Sequence, residues 1–512
     1  MHRAHYSGRD YLFAALTALL VLVLASSALK TGIDYWGDDY AAYMNQGFAL
    51  VDGRLDEQLT LNTTMHPTLL PDEVKDGKLV YAWGFPLLEA LVYRIVGFDR
   101  TDDYNQLVYY KLILLISLAL CSGVMVLFFR RRFPLWISVI ISLLFCLNSR
   151  LLQEINMLYG DLVFLCFSML TFLLAECFVF SEKPVSRILT GLGYAVSMWF
   201  TYLLRLNGFT VIVIALIGHV LCFIQKKIPF SIKKIGWHLL PYALFGAMIL
   251  ITNRILPEAT QNISDFSRTN LDSIIHNLRI VISEPYYFFD NTTRFSPYII
   301  GVAVYLFAIL GLCTHGVKEN LYLVILWLGT SLVLLFLPYS QGVRYLYNAL
   351  PVMLMFAVYG IQIIWQQFDL SKKPIWKMIG SGALSLLLIF TIVPQISDVI
   401  SNFSGLKDDG RTGVYSDDAI EAYQFIQENV DENEIIAFGK PRGLYLSTGR
   451  VTIWPGRNGH KLKDADYLLI NRLNMFEYSY YKESEVKMYY ECVFENQDFA
   501  LYDLRKRVSK VP

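Results

Sequence analysis

The chain has 512 residues, of which 55% are hydrophobic and 17% are charged, whereas an average soluble domain has roughly 25% charged residues. This composition excludes a soluble enzyme. The 44 basic and 44 acidic residues cancel to a net charge of zero, so the basic surface of a nucleic-acid-binding protein is also missing. Charged residues are concentrated after residue 394, which predicts a membrane domain over 1–394 and a water-soluble domain over 395–512.

Apolar runs along residues 1–394 predict a polytopic α-helical membrane protein, because a spanning helix needs about 20 mostly apolar residues. Lys and Arg gather in alternate loops, such as Arg130–Arg132, which predicts an N-terminus inside and a C-terminal domain outside. The long loops 31–106 and 257–296 then lie outside as well. The eleven predicted spans cover residues 11–29, 107–129, 134–149, 160–180, 188–204, 208–224, 236–256, 297–313, 321–337, 346–365 and 375–394.

The first outer loop opens with three carboxylates, Asp34, Asp38 and Asp39. Apolar residues at helical spacing follow Asp39, so the acidic pair is predicted at a helix N-terminus, where the helix dipole favours negative charge. The alternative is that these are solvated loop residues. Further on, residues 84–97 predict an interfacial helix rather than a re-entrant segment, because Glu89 and Arg94 both need water.

Four short motifs, in this order, resemble the GT-C superfamily of integral membrane glycosyltransferases, which includes the protein O-mannosyltransferases of glycosyltransferase family 39 and the aminoarabinose transferase of lipid A. The resemblance covers most of residues 1–365. The motifs are Asp38-Asp39-Tyr-Ala-Ala-Tyr, Tyr81-Ala-Trp-Gly84-Phe-Pro86-Leu-Leu, Gly160-Asp161-Leu and Gly342-Val-Arg344-Tyr345-Leu-Tyr-Asn-Ala-Leu-Pro351.

The resemblance implies transfer of a sugar from a polyprenyl-phosphate carrier, with Asp38 at the active centre and Asp39 at the next acidic position. It also implies that Arg344 and Tyr345 lie near the lipid phosphate. This chain has Trp83-Gly84-Phe85 where relatives often carry Lys-Pro-Pro or Pro-Pro-Gly, so no phosphate-binding lysine carries over to that position. Relatives also commonly have a glutamate at the position of Asp39.

Such a transfer needs a base for the acceptor hydroxyl and cations for the departing phosphate. Asp38 is the predicted base, and Asp39 and Asp161 are predicted to support it. Glu154 and Tyr81 are assigned to the substrate site. Arginines also lie at predicted outer span ends, where a guanidinium can hold a phosphate through paired donors, although snorkelling towards lipid headgroups explains any one of them. They are Arg150, Arg205, Arg254, Arg294 and Arg344, and the site assignment takes Arg150, Arg205 and Arg344.

The sequence predicts no cofactor and no nucleotide-sugar donor, because it has no zinc-like histidine pair and no glycine-rich nucleotide loop. Binding of a divalent cation by the aspartates is left as an open alternative. The expected partners are a polyprenyl-phosphate-linked sugar, a glycan, lipid or protein acceptor, and membrane lipids, with no nucleic acid. The expected location is a bacterial inner membrane, with the site facing the periplasm or exterior.

The segment 395–512 predicts a small α/β domain, with a helix capped by Ser416 and strands near 434–438, 451–454, 467–470, 489–494 and 499–504. No catalytic set is evident there, and acceptor recognition or shielding of the site is its expected role. Two other functions stay open, a transporter or flippase of a lipid-linked substrate and a non-catalytic scaffold. The absence of a convincing internal repeat and the position of charges at span ends favour the enzyme over the transporter.

Overall fold

The computed structural model describes the chain in segments. The described residues are 6–32, 36–66, 75–100, 103–181, 183–225, 232–260, 270–289, 298–314, 316–336, 342–367, 400–401, 413–456, 459, 461–473 and 483–507.

The chain folds mainly into α-helices, and helices occur at ten of the eleven predicted span positions. The remaining span, 375–394, lies outside the described residues. The helices before residue 400 are α1 (Gly8–Ala25), α2 (Asp39–Val51), α3 (Leu55–Met65), α4 (Gly84–Val96), α5 (Asp103–Arg130), α6 (Leu135–Cys146), α7 (Ser149–Glu154), α8 (Asp161–Val179), α9 (Pro184–Leu204), α10 (Gly208–Ile224), α11 (Ile232–Ile255), α12 (Leu271–Phe289), α13 (Tyr298–Leu312), α14 (Gly316–Glu319), α15 (Leu321–Leu335) and α16 (Leu350–Gln367).

Four helices within the described ranges are long and apolar enough to cross a membrane, by length and composition: Gly8–Ala28, Tyr104–Arg130, Asp161–Val179 and Ile235–Ile255. Large apolar side chains point outwards from them, including Leu19, 56% exposed, and Leu250, 71% exposed. Such a surface is unfavourable in water and suits lipid. The protein is therefore an integral membrane protein, and the number and orientation of its spans stay predictions.

Two glycines allow α13 and α16 to pack backbone against backbone. A Cβ added to Gly311 would lie 1.9 Å from the Phe356 carbonyl oxygen, and one added to Gly360 would lie 2.0 Å from that of Phe307. Small residues are the usual means of close approach between helices in a membrane, where lipid removes the hydrophobic driving force. Even alanine at either position would force the two helices apart.

We expect Gly360→Ala to destabilise the folded protein by about 1 to 3 kcal/mol, the usual cost of overpacking a tight interface. Gly329→Ala is the matched control, because Gly329 is also helical and its added Cβ would meet nothing within 4 Å. The thermal midpoint in detergent should fall for the first variant and hold for the second. Equal midpoints would show that α13 and α16 lie farther apart than these distances indicate.

Helices α2 and α4 pack closely against each other. A Cβ on Gly47 of α2 would lie 2.6 Å from the Pro86 carbonyl oxygen of α4. Helix α4 ends at Val96 and is followed by Gly97, whose φ is 79°, a conformation that glycine adopts readily. The predicted helix over 84–97 is thus present.

One reason given for that interfacial helix is wrong. Arg94 is exposed, but Glu89 is 0% exposed and neither of its carboxylate oxygens has a hydrogen-bond partner in the described structure. Burial raises the pKa of Glu89 well above its ordinary value, because an unpaired charge is costly away from water. Burial therefore favours the neutral form of Glu89, and its position does not depend on contact with water.

The segment after residue 412 forms a small α/β unit, as predicted, with α17 (Asp417–Asn429), α18 (Pro441–Thr448) and α19 (Glu483–Lys487). Its sheet has the order β2-β1-β3-β5-β4, with β1 parallel to β2 and β3, and β5 antiparallel to β3 and β4. The Ser416 hydroxyl accepts a hydrogen bond from the Ala419 amide and caps α17. The five strands are β1 (Ile436–Ala437), β2 (Thr452–Ile453), β3 (Tyr467–Asn471), β4 (Tyr490–Glu495) and β5 (Phe499–Arg507).

The described residues between 413 and 507, called the C-terminal unit, pack against the loop that follows α1 and share a hydrophobic core with the helices. The Trp36 ring lies 6.1 Å from the ring of Phe438 and 5.9 Å from that of Phe499. The Arg100 Nε donates a hydrogen bond of 3.1 Å to the Leu446 carbonyl oxygen. These contacts bring α18 against the N-terminus of α2, where the two predicted aspartates lie.

Candidate active site

Asp38 and Asp39 lie at the N-terminus of α2, as the sequence predicts, but Asp38 does not cap its own helix. Its Oδ1 accepts a hydrogen bond of 2.9 Å from the Gly443 amide of α18. The Arg442 guanidinium contacts both acids, with Nε 3.4 Å from Asp38 Oδ2 and Nη1 3.1 Å from Asp39 Oδ1. The first candidate acid is therefore held by the C-terminal unit.

Burial raises the pKa of Asp38 above its ordinary value, and Arg442, the Gly443 amide and Lys440 oppose that rise. The opposing groups favour the ionised carboxylate because two are cations and the third donates a hydrogen bond to it. An acid with a raised pKa, beside a cavity, is a typical candidate for proton transfer.

Arg442 is a site residue that sequence reasoning missed. Its side chain is 4% exposed, and the Tyr81 ring lies 5.5 Å from its guanidinium carbon. Lys440-Pro441 marks a helix start in the sequence, since proline is favoured in the first helical turn. Nothing in a local pattern connects this arginine to an acid some 400 positions earlier.

Arg344 approaches the acids from the other side. It follows Gly342, whose φ is 77°, and lies on the short 3₁₀ turn Val343–Leu346. Its Nη2 is 3.9 Å from Asp39 Oδ2, and its guanidinium carbon lies 4.9 Å from the centre of the Tyr159 ring. Its buried Nε has no hydrogen-bond partner in the described part of the chain. Arg344 therefore keeps a buried donor available for an acceptor group of a substrate.

Asp161, Arg205 and Tyr345 complete the charged cluster. Asp161 begins α8 with 2% exposure and forms an ion pair with Arg205, the residue after α9. The Tyr345 ring lies 5.1 Å from the Arg205 guanidinium carbon and 5.6 Å from that of Arg344. Asp161 Oδ2 is buried without a hydrogen-bond partner in the described structure. Two arginines, one acid and one aromatic ring therefore form a single cluster.

Glu154 is adjacent to this cluster, at the end of α7. Its Oε1 accepts a hydrogen bond of 2.9 Å from the Tyr347 hydroxyl. Burial and the neighbouring Asp161 charge raise the pKa of Glu154 from 4.5 to about 7, whereas Tyr347, Arg344 and Arg205 oppose the rise. At neutral pH this carboxyl group is near the midpoint of its titration.

The raised pKa of Glu154 predicts a pH-dependent stability. The protonated group contributes stability that is fully present below pH 4.5 and is lost as pH rises through about 7. Glu154→Gln imitates the neutral form. The free energy of unfolding of the wild type should therefore fall by up to about 3 kcal/mol relative to that of this variant across the interval. Thermal midpoints of both proteins between pH 4.5 and 8 check this, and parallel curves would contradict it.

Eight of the nine residues assigned to the site from sequence come together. They are Asp38, Asp39, Tyr81, Glu154, Asp161, Arg205, Arg344 and Tyr345. Arg150 lies at the edge of this group, because its side chain is exposed and its charge acts on Glu284 and on Tyr347. Arg254 is exposed too. Asp34 and Arg294 lie outside the described residues.

A cavity of about 220 Å³ opens between the membrane helices and the C-terminal unit, beside Asp38 and Asp39. It combines acids, cations and two aromatic side chains, which suits a polar, partly ring-shaped ligand. Over the described ranges, no group of three or more His, Cys, Asp and Glu side chains could hold a metal ion. The lining residues are Gly37, Asp38, Asp39, Tyr159, Gly439, Lys440, Pro441, Arg442 and Trp454.

This architecture is the GT-C glycosyltransferase fold. The crystal structure of ArnT from Cupriavidus metallidurans bound to undecaprenyl phosphate matches 95% of this chain and 97% of its own, with a TM-score of 0.58 at 9% identity. The apo oligosaccharyltransferase of Archaeoglobus fulgidus matches 90% of this chain and 69% of its own, with a TM-score of 0.57 at 12% identity.

A third similar structure is the Archaeoglobus fulgidus oligosaccharyltransferase AglB in complex with an inhibitory peptide and a dolichol-phosphate. It matches 94% of this chain and 72% of its own, with a TM-score of 0.54 at 13% identity. No protein-family model and no curated protein sequence matches the chain. At such low identities the likeness establishes the fold, and any function must be argued from the chain's own residues.

Proposed function

We propose that the protein is a membrane glycosyltransferase that moves a sugar from a polyprenyl-phosphate carrier to an acceptor hydroxyl on the extracytoplasmic face. The observation that carries the proposal is the contact series Asp38–Arg442–Asp39–Arg344, with the Asp161–Arg205 pair beside it. A candidate base and two candidate phosphate-binding cations therefore lie in one cluster of charged side chains. The fold supports the same reading, since solved GT-C structures include complexes with undecaprenyl phosphate and with a dolichol-phosphate.

In the proposed reaction, Asp38 removes the proton of the acceptor hydroxyl as the acceptor oxygen attacks the anomeric carbon. The bond from that carbon to the phosphate oxygen breaks, and the electron pair leaves with the carrier phosphate. Arg344 and Arg205 stabilise the growing negative charge, since fixed cations in a site shielded from water act strongly on developing charge. The unpartnered Nε of Arg344 is a ready donor for a phosphate oxygen.

Asp39 and Asp161 have supporting roles in this proposal. Asp39 lies between Arg442 and Arg344 and is 41% exposed, so it orients both guanidinium groups and remains open to an acceptor hydroxyl. Asp161 fixes Arg205 and keeps one oxygen unpartnered. Tyr159 and Trp454 line the cavity, where aromatic faces can pack against a sugar ring.

The C-terminal unit, within the predicted domain 395–512, would bind the acceptor. Lys440, Arg442 and Trp454 of this unit line the cavity beside Asp38 and Asp39, whereas the donor arginines belong to the helical part of the chain and are not among the cavity's lining residues. An acceptor entering there would reach Asp38 from the side of the C-terminal unit. The predicted N-in, C-out arrangement of eleven spans would put this whole site outside, and a bacterial inner membrane is the setting we propose.

The experiment that tests the proposal incubates purified protein in lipid nanodiscs with a panel of radiolabelled polyprenyl-phosphate sugars. A glycosyltransferase releases free polyprenyl phosphate and forms a labelled product when an acceptor extract is added. A transporter or flippase of the same lipid would bind it and leave the sugar–phosphate bond intact. Intact donor with every sugar and acceptor tried would overturn the proposed function.

A further inference from the structure

We infer that Arg442 is a positioning residue for the Asp38 carboxylate, so that the site is complete only when the C-terminal unit is docked. The inference rests on the proposed function, in which Asp38 is the base. It assigns a role in the reaction to a segment whose sequence shows no catalytic set.

Both oxygens of Asp38 face the C-terminal unit. Oδ1 accepts the Gly443 amide hydrogen bond, and Oδ2 faces the Arg442 guanidinium at 3.4 Å. Asp38 is also turned away from its own helix, since it makes no side-chain capping bond with α2. The direction of the candidate base is therefore set by α18, from the other end of the chain.

Arg442 itself is held on three sides. Its carbonyl oxygen accepts a hydrogen bond of 3.3 Å from Asn45 Nδ2. Its Nη1 donates to Asp39 Oδ1 at 3.1 Å, and the Tyr81 ring faces its guanidinium at 5.5 Å. A guanidinium fixed in this way presents one donor edge to the acids in a single geometry. Lysine could supply the charge without that shape.

The groups facing Asp38 come from three parts of the chain. Asp39 follows it in sequence and opposes its ionisation, while Arg442 and Lys440 come from the C-terminal unit and favour it. Tyr81, before α4, is a further titratable neighbour, and the Tyr40 hydroxyl of α2 lies beside Asp38 Oδ1 near α18. Removing Arg442 takes away the strongest of the favourable charges and leaves burial and Asp39 in place. Asp38 would then hold its proton to higher pH.

Docking of the C-terminal unit does not depend on Arg442 alone. The aromatic contacts of Trp36 with Phe438 and Phe499 and the hydrogen bond of Arg100 to Leu446 remain when Arg442 is replaced. A further ring contact joins Tyr104 and Tyr415 at 5.6 Å. A variant of Arg442 should therefore keep the fold and alter the environment of Asp38.

The first test is the pH profile of kcat/KM for the wild type, Arg442→Lys and Arg442→Gln. An adjacent cation commonly lowers a carboxyl pKa by about 1 to 3 units. The acidic limb of the Arg442→Gln profile should therefore move to higher pH by about one unit or more. On that limb its activity at a fixed pH should fall about tenfold for each pH unit by which the limb moves, and it should recover as pH rises. Arg442→Lys should keep an acidic limb close to that of the wild type.

Arg507→Gln, at the exposed end of β5, is the matched control and should leave the profile unchanged. A loss of activity in Arg442→Gln that is equal at every pH would make Arg442 a merely structural residue and overturn the inference. An acidic limb identical to that of the wild type would also overturn it.

The second test needs no activity, so it separates failure of this inference from failure of the proposed function. Thermal midpoints are measured for Asp38→Asn, Arg442→Gln and the double variant, as a double-mutant cycle. The Arg442→Gln change should cost less stability in the Asp38→Asn background than in the wild type, and the difference should grow from pH 5 to pH 8. Additive losses at every pH would show that the two side chains are not coupled.

Discussion

Asp38→Asn should lower the turnover of a purified polyprenyl-phosphate-sugar donor by about 10²- to 10⁴-fold, the usual contribution of a positioned general base. Asparagine keeps the shape of the side chain and can still accept the Gly443 amide hydrogen bond at Oδ1. It cannot accept a proton at neutral pH. The loss should therefore appear in kcat, while the thermal midpoint stays near that of the wild type.

The matched control is Asp56→Asn, in the same loop. Its side chain is 85% exposed and pairs with Lys78 on the surface, an arrangement that usually contributes little to stability. This variant should turn over at the wild-type rate. Transfer by Asp38→Asn at near the wild-type rate would remove Asp38 from the role of base and leave Asp39 or Glu154 to be tested in its place.

Arg344→Ala should raise the KM for the lipid donor about 10- to 100-fold, since a hydrogen bond to a charged group contributes about 1.5 to 3 kcal/mol. The change removes both the cation that lies 3.9 Å from Asp39 and the buried Nε donor. The KM for the acceptor should change much less, because the acceptor is proposed to enter from the C-terminal side. Steady-state kinetics with each substrate varied in turn measure the two effects.

Arg254→Ala is the control for that experiment, because Arg254 is also an arginine at a predicted outer span end and its side chain is exposed. Its donor KM should stay within about twofold of the wild type, as expected for an exposed side chain away from the site. A donor KM that is unchanged in Arg344→Ala would show that this arginine does not contact the carrier phosphate.

The sequence predicts the apolar helices and the strands because each leaves a local signal. Long apolar runs mark the predicted spans from Gly8–Ala25 to Leu350–Gln367, and short β-rich runs mark the strands after Ile436. Helices α3 (Leu55–Met65) and α12 (Leu271–Phe289) have no long apolar run and are not predicted. The sequence also predicts Asp39 and Arg344 at the same end of the bundle, from the family motifs and the distribution of Lys and Arg, but it does not predict the contact between them.

Contacts between distant segments leave no such signal. Arg442 belongs to a short helix in a polar region, and its pairing with Asp38 and Asp39 depends on how the C-terminal unit packs on the loop that follows α1. The expectation that Glu89 contacts water is wrong for a different reason. A charged residue is expected to contact water, but α4 packs the Glu89 carboxyl group inside the protein, where burial raises its pKa and favours the neutral form.

A cryo-electron-microscopy structure of the protein with bound polyprenyl phosphate would show directly which residues hold the carrier. We expect the phosphate within hydrogen-bond distance of Arg344, beside Arg205 and close to Asp39. A phosphate bound at the far end of the helical bundle, next to Arg131 and Arg132, would contradict this expectation.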